Sequence, residues 1–134
     1  MEIPYLIKFD SIGNDSIGFL GVAENNVNVP FDVKRIFWTY QTPNGIERGR
    51  HAHIKTKQVL ICLQGNIRIT TIQPDGSKKA FLLTAPNTGL YLPPTSWHTM
   101  IYQDNAIQLV LASELYDPND YIRDFDTFIK INND

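Results

Sequence analysis

The feature that most limits how this chain can fold is its punctuation. Short runs of β-branched and aromatic residues recur along it, each cut off by Gly, Pro, Asn, Asp or Ser. The first kind of residue fits a pleated, half-buried surface; the second supplies the backbone angles and local hydrogen bonds of turns. Runs at 3–9, 17–23, 34–41, 51–54, 57–63, 67–72, 79–83, 90–92, 97–103 and 106–113 read as strands. Turn chemistry separates them: a polar turn at 11–16, Thr42-Pro43-Asn44-Gly45, Gln73-Pro74-Asp75-Gly76, and Gly65-Asn66, which reads as a tight hairpin. About nine or ten short strands at roughly 8–12-residue spacing predict an all-β antiparallel sandwich or barrel. The run at 106–113 is apolar and is expected to be central, whereas two glycines weaken 17–23 as an interior strand.

Only the tail departs from this pattern. Asp117 reads as an N-cap, Pro118 as the first helical residue and Asp120 as a first-turn acid. Tyr121, Phe125 and Phe128 then recur at helical spacing and are expected to give one aromatic face that packs on the sheets.

With 134 residues the chain fits one domain able to build a core without covalent staples. Its net charge of -2 argues against general nucleic-acid binding, so an anionic ligand needs a local cluster of arginines. The single cysteine, Cys62, excludes an internal disulfide, suggests a reducing compartment and lies in an apolar run, where a packed thiol is expected. The first ten residues lack the apolar core of a signal peptide, and no apolar run approaches the roughly 20 residues of a membrane span. The expected location is cytoplasmic.

The chemistry concentrates at 45–65. Two of the three histidines, His51 and His53, stand one residue apart, and a strand turns both imidazoles to one face. Arg48 and Arg50 precede them, Gln58 follows, and the third histidine, His98, lies in Pro93-Pro94-Thr95-Ser96-Trp97-His98. In a regular strand Arg50 points away from the face that carries the histidines.

These spacings resemble those of the cupins, small jelly-roll proteins. Gly45, five residues, His51-Ala52-His53, four residues, Gln58, six residues and Gly65 reproduce the first cupin motif, with Gln58 where the family has Glu. Pro93 to His98 resembles the second motif, with Thr95 in place of glycine and Tyr102 in place of a later asparagine. A narrower resemblance is to the cupin-type dTDP-4-keto-6-deoxyglucose 3,4-ketoisomerases. It rests on Lys34-Arg35, Arg48-Gly49-x-His51-Ala52-His53, Asn87-x-Gly89-Leu90-Tyr91-x-Pro93-Pro94, and the tail Leu111-Ala112-Ser113-Glu114-x-Tyr116-Asp117-x-x-Asp120-Tyr121-Ile122-Arg123-Asp124. The chain departs from those enzymes where Asn14-Asp15-Ser16-Ile17-Gly18-Phe19-Leu20 lacks their arginine, and where it has Phe37 and Trp38 in place of the tyrosine common in the family.

The resemblance implies a single-domain cupin jelly-roll barrel or sandwich with a short C-terminal helix, a homodimer, no cofactor and no metal, and a dTDP-linked keto sugar as substrate. Moving a carbonyl from C4 to C3 needs a base of near-neutral pKa and donors that stabilise an enediolate. By motif position His51 is the base, with His53 beside it to donate or to orient. Arg35 and Arg48 are expected to hold the diphosphate bidentately; Gln58 and His98 complete the site, and Tyr40 is a candidate for stacking on the nucleobase. Two alternatives accompany this reading: a metal-dependent cupin using His51, His53 and His98, and a sugar-nucleotide or glycan-binding module without catalysis.

Overall fold

The computed structural model describes residues 1–131. Its strands are β1 (Tyr5–Lys8), β2 (Ser11–Asn14), β3 (Gly18–Gly21), β4 (Arg35–Thr39), β5 (Glu47–His53), β6 (Gln58–Ile72), β7 (Lys78–Leu83), β8 (Thr88–Leu92), β9 (Trp97–Ala112) and the short β10 (Tyr121–Ile122), followed by one helix, α1 (Phe125–Ile129).

Two long strands organise the others. β6 and β9 run antiparallel from Gln58 opposite Ala112 to Ile72 opposite Trp97, and bulges interrupt the ladder between Cys62 and Asn66. There Gly65, Asp104 and Asn105 all have positive φ (78°, 59° and 55°). A Cβ on Gly65 would fall 2.6 Å from the Gln103 carbonyl oxygen, so the corner admits only glycine. Asn66 Nδ2 donates to Asp104 Oδ2 at 2.6 Å and ties the two bends together. Gly65-Asn66 is therefore not the expected hairpin. Its turn chemistry is spent on a bulge, because the partner strand bends at the same place and pairing resumes beyond it.

Beyond the corner the strands change company. The first half of β6 pairs with β8, which carries β1, while the second half of β9 pairs with β4. The other halves pair with β7 and β5, and β10 extends β5. The sheet folds over on itself into two layers and does not close, as a jelly-roll sandwich does.

Between the layers lie Leu60, Ile67, Ile69, Leu83, Leu90, Leu92 and Val110; each contributes about 1.5–3 kcal/mol relative to exposure. Phe9, Val29 and Phe31 cover Val59, Ile61 and Tyr91 on the outside of one layer. Cys62 is buried in the central cluster, its thiol donating to the Gln64 carbonyl at 3.1 Å, and burial raises its pKa. It is the packed thiol expected.

The tail corrects the sequence reading. Asp117 does cap, accepting from the Asn119 N–H at 2.9 Å, but it caps only one 3-10 turn over Pro118–Asp120. The chain then becomes extended, and Tyr121 pairs with His53 on β5. Helix α1 begins after four intervening residues, capped by Asp124, whose Oδ2 accepts from the Thr127 N–H at 3.2 Å. An open strand edge captured backbone that local propensity assigned to a helix. Phe125 and Phe128 pack on Trp97 as an aromatic face, but Tyr121 is not part of it.

Residues 11–16 are also not a simple turn. They begin the β2–β3 hairpin, whose strands pair with each other and, among the described residues, with no other strand. It exposes Ile12, Ile17, Phe19 and Leu20, while β4, paired on one side only, exposes Ile36 and Trp38. Among the described residues no helix is long and apolar enough to cross a membrane.

Candidate active site

A bulge in β5 builds the site. Gly49 lies opposite Thr99, but His51 lies opposite His98, because Arg50 is inserted between them. Gly49 and Arg50 both have positive φ (89° and 62°), and a Cβ on Gly49 would meet the His98 carbonyl oxygen at 2.9 Å. Arg50 is left exposed and pairs with Glu47 at 2.8 Å. It points away as expected, through the bulge and not through strand alternation.

The bulge turns His51 toward His98, with ring centroids 4.7 Å apart, and alternation brings His53 to 5.0 Å from His51. Ring nitrogens of all three lie within 4.8 Å of one another. His53 and His98 are almost wholly buried, 3% and 2% exposed, and His51 is half-buried.

Hydrogen bonds fix the tautomers of two of them. His53 Nδ1 lies 3.2 Å from Asp120 Oδ2. Burial works against the Asp120 carboxylate, but donation from the Thr56 hydroxyl, the Lys55 N–H (2.7 Å) and the Thr56 N–H outweighs it and holds its pKa below the ordinary value. An ionised carboxylate only accepts, so His53 Nδ1 carries the proton and Nε2 the lone pair. That Nε2 is buried without a partner. His98 Nδ1 likewise donates to the Ser96 carbonyl at 3.0 Å, which leaves its Nε2 as the basic nitrogen.

All three imidazoles are held neutral. Burial is the main cause for each; it takes His53 down to about 4 and His98 to about 3, helped in both by the charge of a neighbouring imidazole. His51 is lowered by burial and by Arg123, while the Gly49 backbone offsets part of this. The result is a set of bases that stay unprotonated at neutral pH.

The cavity they adjoin has a volume of about 220 Å³. His51, His98, Tyr121 and Arg123 line one part, Phe37, Leu60 and Val110 supply apolar wall, and Arg48, Gln58, Thr39, Tyr102 and Gln108 line the rest. Of the residues expected from sequence, His51, His98, Arg48 and Gln58 therefore meet in one cavity. His53 stands behind His51, outside the lining. Arg35 also stands outside it, its guanidinium 5.0 Å over the Phe37 ring with a buried, unpartnered Nε, though its charge helps depress His53. Tyr40 is not brought in; it lies 60% exposed beyond the end of β4. Strand alternation explains this, since Arg35, Phe37 and Thr39 take one face and Ile36, Trp38 and Tyr40 the other.

Sequence reasoning missed Asp120, Tyr121, Arg123, Tyr102 and Gln108. The first three sit in the tail motif, where a helix was expected in place of an edge strand. Tyr121 packs on His51 and His53 with centroids 5.1 and 4.5 Å away, and Arg123 covers Tyr121 at 4.2 Å. Gln108 had a legible signal: it is the one amide inside the apolar run 106–113.

A small jelly roll that turns neutral, oriented histidines toward a cation-flanked cavity defines a cupin built to move protons on, or hold a metal beside, a polar ligand. Comparison narrows this class: residues 3–133 match the family described as FdtA: WxcM-like, C-terminal, and the chain belongs to that family. It is similar to the TDP-4-oxo-6-deoxy-alpha-D-glucose-3,4-oxoisomerase of Aneurinibacillus thermoaerophilus, with 42% identity over 87% of this chain and 84% of that one. It also resembles QdtA, a sugar 3,4-ketoisomerase from Thermoanaerobacterium thermosaccharolyticum solved with TDP, at a TM-score of 0.91 and 40% identity over 97% and 94% of the two chains. A mutant of that enzyme was solved with TDP-4-keto-6-deoxyglucose; it has a TM-score of 0.89 and 40% identity over 95% of this chain and 91% of that one.

Proposed function

We propose that this protein is a nucleotide-sugar 3,4-ketoisomerase that converts a TDP-linked 4-keto-6-deoxy sugar to its 3-keto isomer. The observation that carries the reading is His51: a neutral imidazole in the cavity wall, backed by His53, which Asp120 orients in turn.

In this reading His51 removes the C3 proton. The C–H electron pair forms the C3–C4 double bond and the C4 oxygen becomes an enediolate oxyanion, which takes up the proton of the neighbouring C3 hydroxyl. The C3 oxyanion left behind forms the C3 carbonyl as the double-bond pair takes the proton held on His51 at C4. No atom is gained or lost. His53 keeps its Nδ1–H on Asp120, so its Nε2 can accept but not donate, and its ring packs edge-on against His51. Arg48 and Arg123 are the cations available to the diphosphate and to the oxyanion. At about 220 Å³ the cavity is smaller than the roughly 300–1,000 Å³ of sites that enclose a whole drug-sized ligand. It suits the sugar, with the nucleotide outside the mouth.

Isomerisation in this scheme needs no metal, and a cytoplasmic location belongs to the same reading. A homodimer completes the reading. The hairpin β2–β3 exposes Phe19 and Leu20, β4, paired on one side only, exposes Ile36 and Trp38, and an exposed edge of this kind needs cover. In the test, the protein is incubated with TDP-4-keto-6-deoxyglucose in deuterated buffer with no added metal and followed by NMR. A 3-keto product supports the reading; binding without exchange or product identifies a sugar-nucleotide-binding protein instead.

One observation favours a second reading. His53 and His98 donate their Nδ1 protons to a carboxylate and a carbonyl, the arrangement that orients imidazoles toward a divalent metal. His51, His53 and His98 fit zinc or iron as a neutral three-nitrogen set. A metal held there supplies Lewis-acid polarisation of a bound carbonyl. Stoichiometric metal in untagged protein, with activity lost on chelation and restored by the metal, would decide for it.

A further inference from the structure

The cavity has a second polar end that the proton-transfer chemistry does not use. On the inner face of β9, beyond Met100 from His98, Tyr102 and Gln108 are buried at 1% and 2% exposure. The Tyr102 hydroxyl donates to Gln108 Oε1 at 2.7 Å, and the Thr39 hydroxyl reaches the same oxygen at 3.4 Å. The amide oxygen thus accepts from one hydroxyl and lies within reach of a second, and the Tyr102 hydroxyl also stands 3.7 Å from the Met100 sulfur. The nitrogen is in the opposite state. Gln108 Nε2 carries two N–H groups, and its one partner among the described residues is the Met100 thioether sulfur at 3.1 Å, a weak acceptor. Buried amides are ordinarily satisfied, and a half-satisfied pair in an apolar layer is a poorer structural filler than two apolar side chains.

We infer that Gln108, pinned by Tyr102 and Thr39, is a specificity-determining donor whose amide N–H binds an oxygen of the sugar at the end of the cavity remote from the histidines. The ligand group it takes is an uncharged oxygen acceptor, a hydroxyl or a ring oxygen, because a neutral amide is offered there. Leu60, Val110 and Phe37 between the two ends supply apolar contact for the carbon face of a pyranose. The placement divides labour along one strand: His98 lies at the end where protons move, and Gln108 at the end that selects which sugar presents its C3 to His51.

The inference rests on the sugar-nucleotide reading, so its test uses binding and not turnover. In a His51→Asn background, the Kd of TDP-4-keto-6-deoxyglucose and that of TDP alone are measured by calorimetry, with and without Gln108→Leu or Tyr102→Phe. Gln108→Leu is expected to weaken the sugar nucleotide about tenfold and leave TDP unchanged; Tyr102→Phe, which frees the amide without removing it, is expected to weaken it severalfold with the same selectivity. With His51 intact, kcat/KM is expected to fall by at least the factor by which the Kd of the sugar nucleotide rises. Equal weakening of both ligands, or no change in either, overturns the inference. Should Gln108→Leu fail to fold, the isosteric Tyr102→Phe decides alone, an unchanged ratio of the two Kd values counting against it. A protein that binds both ligands normally yet never isomerises defeats the ketoisomerase reading and leaves this measurement intact.

Discussion

His53 and Asp120 lie 67 residues apart in the chain, yet His53 Nδ1 is 3.2 Å from Asp120 Oδ2. The carboxylate also accepts from Thr56 and from the Lys55 N–H, so one side chain orients the histidine and anchors the residues that follow β5. Asp120→Asn removes the charge that fixes the His53 tautomer. It is expected to lower kcat by about tenfold or more, by analogy with other oriented histidines, and to destabilise the fold by about 1–3 kcal/mol. Steady-state kinetics beside a urea titration check both; an unchanged kcat in a folded variant would rule out the orienting role.

Folding stability is expected to fall as the pH is lowered from about 6.5 toward 4. Unfolded histidine titrates near 6.5, whereas His53 is held down to about 4 and His98 to about 3. Across that window the unfolded chain binds protons that the folded chain refuses, so the difference in bound protons favours unfolding as pH drops. Each histidine contributes at most about 1.4 kcal/mol per pH unit. Denaturation midpoints between pH 7.5 and 4.5 report the slope, and a flat profile would contradict it.

Gly49→Ala tests the bulge. At φ 89°, with the new methyl 2.9 Å from the His98 carbonyl oxygen, the alanine is strained twice. A cost of about 1–3 kcal/mol is expected from the backbone alone, and activity should fall further than stability because His51 leaves its register with His98. Comparable activity per folded molecule would show that the bulge is not needed to aim His51.

His51→Asn should lower kcat by about 10²–10⁴-fold, the ordinary worth of a general base, while TDP binding stays within about threefold. In the parent protein the acid limb of kcat/KM is expected below pH 6.5, since burial and Arg123 lower the His51 pKa. An acid limb above neutrality would assign the base elsewhere.

Leu20→Arg places a charge on the exposed hairpin, where leucine is 59% accessible. Light scattering should show a dimer in the parent protein and a monomer in this variant. A parent monomer would dismiss the interface outright.

Gln58 and Tyr102 show how far the sequence alone carried. The β-runs, the two-residue histidine spacing and the cupin intervals were all local, so the all-β class, the shared face of His51 and His53 and the membership of His98 and Gln58 were legible from residue order. Period-two alternation needs only a strand, and it holds whatever that strand pairs with. What failed depended on partners. Gly65-Asn66 has hairpin chemistry, and only the matching bend in β9 made it a bulge. Asp117 to Asp120 carries helix signals, and only the open edge of β5 drew Tyr121 into a ladder and Asp120 onto His53. Tyr40 and Phe37 lie close together in the chain, but strand pairing set one outside the cavity and the other in its wall. Residue order determined which histidines and arginines this protein has to bring together. Tertiary structure decided which histidine faces the cavity, which carboxylate orients its neighbour and which amide waits at the far end, because those relations are set by pairing between strands distant in sequence.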